Sequence, residues 1–336
     1  MKKVFLILLC LLLTVSMLTG CGSPAPAASA AEEPLRVVTT IFPIYDWVRN
    51  VLGDRAADVE VTMLLDSGVD LHSYQPTVDD IVKISACDLF IYVGGESDDW
   101  VDDALREAAN KDMIVINLLE VLGDSVKEEE LVEGMEHEHD HEHDHEEEHD
   151  HDHEEGEAEY DEHVWLSLRH AQTLTQAIAE ALAKLDAQNA ETYAANATAY
   201  TEKLDALDGA YRAAVDAAPG KTLLFGDRFP FRYLVDDCGL NYYAAFVGCS
   251  AETEASFETV VFLARKVDEL GLNAICQIES ADGSIARTIR ENTRDKDQQI
   301  LSFDSMQSVT AGDVAAGKTY LGIMEENLAV LRDALQ

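Results

Sequence analysis

Eight of the eleven histidines, His137, His139, His141, His143, His145, His149, His151 and His153, fall in one short run. Every imidazole there is flanked by aspartate or glutamate, with no apolar residue between them. Neutral imidazole and ionised carboxylate are donors that borderline divalent cations such as zinc accept, so the composition is that of a metal binder. With nothing apolar to bury, residues 136–159 read as a disordered, solvated acidic loop offering many weak, interchangeable sites. Residues 136–162 hold 16 acids and no Lys or Arg, leaving 49 of the 65 acids against 24 bases elsewhere. A formal charge of -41 repels nucleic acid phosphate and suits cations.

Three histidines stand apart. His72 lies in the polar loop DSGVDLHSYQPT, His163 follows the acidic run at the entry to a helical stretch, and His170 comes seven residues later. Asp227, Glu279 and Asp304 close the apolar segments TLLFGD, AICQIES and ILSFD. In open α/β sheets the binding crevice lies beyond the carboxyl ends of the strands. His72, His163 and these carboxylates therefore form a candidate coordination sphere for a transition metal. Each also has a plainer reading: a surface histidine, or a strand-end carboxylate capping the next helix. Trp47, Trp100 and Trp165 read as packing residues.

The elements that position these residues alternate. LRVVTTIF, VEVTMLLD, ACDLFIYVGG and MIVINLL read as strands, separated by IYDWVRNVLGD (ended by Gly53), a short helix capped by Thr77, and DDWVDDALREAA. From Val164 to about Ala218 helix breakers are almost absent, so this part is a helical hairpin or one long helix, with Asp186 to Asn189 as the interruption. KTLLFGD, NYYAAFV, NAICQIES and QQILSFD then alternate with helices, one of them closed by Gly271 and the last being TYLGIMEENLAVLRDAL. The fold class is α/β: two lobes, each a mostly parallel sheet flanked by helices, joined by a long rigid helix. The N-terminal lobe spans 35–185, the linking helix 186–218 and the C-terminal lobe 219–336.

Lys2 and Lys3 precede a short apolar run, Val4 to Leu18, and then Leu18-Thr19-Gly20-Cys21. Residues 1–20 read as a lipoprotein signal, Cys21 as the acylated residue and 21–34 as a flexible tether. A lipid there holds the protein on the extracytoplasmic face of the cell membrane, at the cell surface or in the periplasm. Cys87, Cys238, Cys249 and Cys276 lack CxxC spacing, which disfavours a zinc knuckle.

Several motifs occur together: Thr40-Ile41-Phe42-Pro43-Ile44-Tyr45-Asp46, His72 with Tyr74-Gln75-Pro76-Thr77, Tyr92-Val93-Gly94-Gly95-Glu96, the His-rich insertion, His163-Val164-Trp165-Leu166-Ser167, and the stretch from Tyr320-Leu321 to Asn327-Leu328. In these the chain resembles the zinc/manganese solute-binding lipoproteins of metal ABC transporters (cluster A-I, zinc-binding type with a His-rich loop). The resemblance implies a monomeric receptor, not an enzyme, that captures a divalent metal between its lobes and delivers it to an ABC permease. It implies His72, His163 and Asp304 as ligands. The family's third ligand aligns with Gly226, which has no side chain to offer, leaving Asp227, Glu279, Cys249 or water to complete the sphere. Oxygen ligands would shift preference toward Mn2+, whereas the His-rich loop argues for Zn2+. Rival readings are a surface metal-buffering or adhesive lipoprotein working through the loop, and a metallohydrolase. Deleting residues 136–155 separates loop from cleft: in calorimetric zinc titrations one tight site survives and the weak sites disappear.

Overall fold

The computed structural model describes residues 34–135, 159–250 and 254–336. The apolar leader, Cys21, the tether and the eight clustered histidines lie outside the described residues.

The first sheet is built from β1 (Arg36–Thr39), β2 (Glu60–Met63), β3 (Leu89–Tyr92) and β4 (Ile114–Asn117), in the order β2-β1-β3-β4 and parallel throughout. Val38 pairs with Thr62 on one side and Phe90 on the other. Helices α1 (Phe42–Leu52), α2 (Val78–Ala86) and α3 (Trp100–Arg106) connect the strands. Thr77 caps α2 in a capping box with Asp80, as its place before two aspartates suggests. MIVINLL is shorter as a strand than its apolar run. The chain leaves the sheet at Asn117, whose side chain accepts from Glu120 N (3.1 Å) and starts the short helix α4 (Leu118–Leu122).

The breaker-poor stretch is a helical pair. α5 (Leu168–Leu185) and α6 (Ala190–Ala217) are separated by one tight turn at Ala187–Asn189, within the expected interruption. At 28 residues α6 runs about 42 Å. Its buried face carries Tyr193, Tyr200, Leu204, Leu207, Tyr211 and Val215.

The second sheet contains β5 (Thr222–Phe229), β6 (Asn241–Val247), β7 (Ala274–Ile278) and β8 (Gln299–Phe303), again parallel, in the order β6-β5-β7-β8. It is flanked by α7 (Arg232–Cys238), α8 (Phe257–Leu270), α9 (Ser284–Asn292), α10 (Ala311–Ala315) and α11 (Tyr320–Ala334). The two sheets thus share one strand order. In each the topological switch point falls beside the first strand, and ligands of such sheets gather beyond it. GDVAAGKT, residues 312–319, has phosphate-loop spacing, but its first half belongs to α10 and the Thr319 side chain caps α11. No strand feeds a glycine loop there, so the spacing carries no phosphate chemistry.

One large apolar cluster takes side chains from both sheets, including Phe90, Trp47, Trp165, Phe225 and Phe303; a smaller one lies under α8 and α9. The C-terminal helix returns to the first lobe, where Tyr320 meets Trp47 edge-on at 5.2 Å between ring centroids. The four cysteines of the described residues are free thiols. No helix of the described residues is long and apolar enough to cross a membrane.

Asp46 on α1 joins three elements by accepting from Tyr200 Oη (3.3 Å), Tyr320 N (3.3 Å) and Asn50 Nδ2 (3.0 Å). Burial raises its pKa from 3.8 to about 6 despite those bonds. The folded state therefore holds a proton that the unfolded chain has already lost between about pH 4 and pH 6. The resulting stabilisation is full below about pH 4 and lost as pH rises through 6. In urea melts at stepped pH, Asp46→Asn removes that decline relative to the parent protein.

Candidate metal centre

His72 sits in the single helical turn Leu71–Ser73 between β2 and α2, and Asp70 caps this turn by accepting from His72 N (3.0 Å). His163 precedes the turn Val164–Leu166 that leads into α5, and is fully buried. These two histidines, 91 residues apart in sequence, bring their Nε2 atoms to 3.1 Å. Cys249 follows β6, and its Sγ joins them: one donor atom from each residue lies within 4.8 Å of the others. The cysteine comes from the second lobe and the histidines from the first.

The opposite edges of the imidazoles are occupied. His163 Nδ1 lies 2.9 Å from Asp161 Oδ1, which also accepts the His163 backbone N–H at 2.9 Å. A carboxylate accepts only, so Nδ1 carries the proton and Nε2 presents a lone pair to Cys249 and His72. His72 Nδ1 meets Ser97 Oγ at 2.8 Å and lies 3.4 Å from Glu162 Oε2. Glu162 is itself buried; its Oε1 accepts from Ser97 N (2.9 Å), whereas Oε2 has no hydrogen-bond partner. Its approach depends on Gly95, at φ +84°, where a Cβ would stand 2.3 Å from Glu162 Oε1.

Burial and the neighbouring His163 lower the His72 pKa to about 3, so this imidazole stays neutral and able to donate a lone pair. Burial, with Glu129, Asp161 and Glu162 nearby, pushes the Cys249 thiol upward. Only a cation can offset that field, and a coordinated thiol is deprotonated outright. A cavity of about 270 Å³ leads to the group, lined by His72, Glu96, Ser97, Glu129, Glu159, Tyr160, Glu162 and Cys249. Glu128 and Tyr160 form a bridge and Glu129 N donates to Glu159 O (2.8 Å), joining the chain before the clustered histidines to the chain after them.

The other sequence candidates have different partners. Asp227 accepts from Ile278 N (3.1 Å) and Arg228 N (2.9 Å), tying β5 to β7. Glu279 takes Ser305 N (2.8 Å), Ser305 Oγ (3.0 Å) and Ser308 Oγ (3.0 Å). Asp304 accepts from Met306 N (2.8 Å) and lies 3.4 Å from Lys318 Nζ. Gly226 packs against α9: a Cβ there would be 2.7 Å from Ala286 Cα. His170 lies on α5 against the Tyr233 ring, 5.1 Å between centroids. Asp161, Glu162, Ser97 and Glu129 join the site from outside the sequence candidates. The aspartate two residues before His163 was a usable signal; Ser97 and Glu129 had none.

Two parallel sheets of one strand order, with imidazoles of one lobe facing a thiol of the other, define a two-lobed binding protein. The chain belongs to the family described as ZnuA, zinc-uptake complex component A, periplasmic, which it matches over residues 37–334. This is a family of solute-binding transport components, not of enzymes. The chain is 30% identical over 306 residues to the zinc-binding protein AdcA of Streptococcus pyogenes serotype M3, covering 90% of this chain and 56% of that protein. It therefore spans little more than half the length of such relatives. The high-affinity zinc uptake system protein ZnuA of Bacillus subtilis (strain 168) is 30% identical over 331 residues, covering 98% of this chain and 96% of that one. The Zn(II)-bound ZnuA-like domain of Streptococcus pneumoniae AdcA is similar in structure, with a TM-score of 0.67, 28% identity, and coverage of 90% of this chain and 99% of the domain.

An imidazole held by a carboxylate at Nδ1 is a better and better-aimed metal ligand. Asp161→Asn leaves the shape and weakens that hold, so zinc affinity measured by chelator competition falls by about 10- to 100-fold.

Proposed function

We propose that this protein is an extracytoplasmic receptor that captures a divalent transition metal, zinc above all, in the cleft between its lobes and delivers it to an ABC permease. The observation that carries this reading is the 3.1 Å separation of His72 Nε2 and His163 Nε2. Two nitrogens on one tetrahedral zinc, each at about 2.05 Å, stand about 3.3 Å apart. With the His72 proton on Nδ1, beside Ser97 Oγ and Glu162 Oε2, the Nε2 lone pairs of both imidazoles converge on one point, an arrangement that suits a cation. Zinc as cargo satisfies that geometry with His72, His163 and the Cys249 thiolate as ligands. The softness of the thiolate favours Zn2+ over Mn2+.

Asp227, Glu279 and Asp304 keep the backbone and side-chain partners described above. The named relatives, a zinc-binding protein and a zinc uptake system protein, support the same cargo. Delivery to a permease, a lipid anchor at Cys21 and a monomeric state belong to the same proposal, supported by family membership and by the lipobox-like sequence. Glu129 and Glu159, which precede and follow the clustered histidines in sequence, line the cavity, so ions gathered on those histidines are tethered close to the cleft.

Zinc titration by chelator competition tests the reading. His72→Ala combined with His163→Ala abolishes tight binding, whereas Cys249→Ser weakens zinc more than manganese. Undiminished tight binding in the double-histidine variant would sink the cleft site. Turnover of ester, peptide or phosphoester substrates by the metal-loaded protein would favour a hydrolase instead.

A further inference from the structure

Asp70 serves both lobes at once. Its Oδ1 accepts the backbone N–H of His72 at 3.0 Å and so shapes the turn that presents that imidazole. Its Oδ2 forms an ion pair with Arg228 Nη2, from β5 of the opposite lobe. The β5–β6 register shifts between Phe225 and Arg228, and such an irregularity re-aims the side chain that follows it. Both members of the pair are largely covered, with side chains 14% and 22% exposed for Arg228 and Asp70. Both also line a second cavity of about 720 Å³ beyond the carboxyl ends of β5 and β7.

We propose that Asp70 and Arg228 form a cross-lobe clasp that positions His72 for the metal and holds the cleft shut around it. The clasp rests on the receptor reading above. An exposed ion pair of this kind would contribute little. This one is largely covered, and its carboxylate is shared with the backbone of the turn that carries His72. Opening the cleft separates the guanidinium from the carboxylate and loosens the cap of the His72 turn in the same motion. Asp70 also neutralises a cation that would otherwise stand beside a divalent ion. Arg228 acts through Asp70 and the His72 turn, so it is a positioning residue.

A double-mutant cycle on the full chain tests the clasp, with zinc dissociation rates from stopped-flow chelator capture and equilibrium affinities from competition. Asp70→Asn retains an acceptor for His72 N but loses the charge; Arg228→Ala loses the other partner. Each variant releases zinc about tenfold faster with little change in association rate, because truncating one member of a covered pair acts on dissociation. The double variant releases zinc no faster than the faster single, showing that the two effects are one interaction. Arg228→Lys recovers part of the loss. Parental dissociation rates in both singles, or additive effects in the double, would overturn the clasp while leaving zinc capture by His72 and His163 standing. Failure of the parent chain to bind zinc tightly would instead remove the receptor reading itself.

Discussion

The hydrogen bond from His163 Nδ1 to Asp161 anchors the site. It fixes the tautomer of a fully buried imidazole and aims its lone pair at His72 and Cys249. The surroundings are built to keep it there. Tyr233 Oη donates to Asp161 O (2.7 Å), Trp165 Nε1 donates to Ser305 O (2.9 Å), and Tyr320 Oη donates to Trp165 O (2.6 Å). These bonds come from α7, the segment after β8 and α11, so the turn carrying a first-lobe histidine is braced largely by the second lobe.

The same arrangement explains the long helical pair and the return of the C-terminal helix. A cleft between two sheets needs a stiff frame, or the ligands of one lobe lose register with those of the other. α6 supplies it: Tyr200 reaches Asp46 in the first lobe and Tyr211 donates to Met324 O (2.7 Å) on α11. Buried tyrosines whose hydroxyls have partners combine apolar burial with a directional tie. Side chains of both sheets share one apolar cluster, and the polar cleft that holds His72 and Cys249 lies at its edge.

Electrostatics sort the donors. Carboxylates outnumber bases across the whole chain, yet the carboxylates at the strand ends of the second sheet accept from backbone amides, hydroxyls and Lys318. Acidic residues line the cavity mouth, while two imidazoles and a thiol, donors of the softness that suits zinc, lie together behind them. Charge and softness thus sit at different depths.

Much of this was legible in the order of residues. Apolar runs closed by Gly53 and Gly271, the cap at Thr77 and the breaker-poor stretch after Val164 report local backbone preference, and they located the strands and helices. His72 and His163 stood out because histidine is rare outside the acidic run. Strand-end position alone cannot reveal whether an Asp or Glu faces the cleft or spends its lone pairs on nearby amides, and Asp227 and Glu279 turned out to have such partners. Cys249 gave no signal beyond its type, since its nearness to His163 depends on how β6 ends and how the second lobe meets the first. Local propensity is written in neighbouring residues. Which donors share a cleft is decided by contacts across the chain, and those exist only once the two sheets are packed.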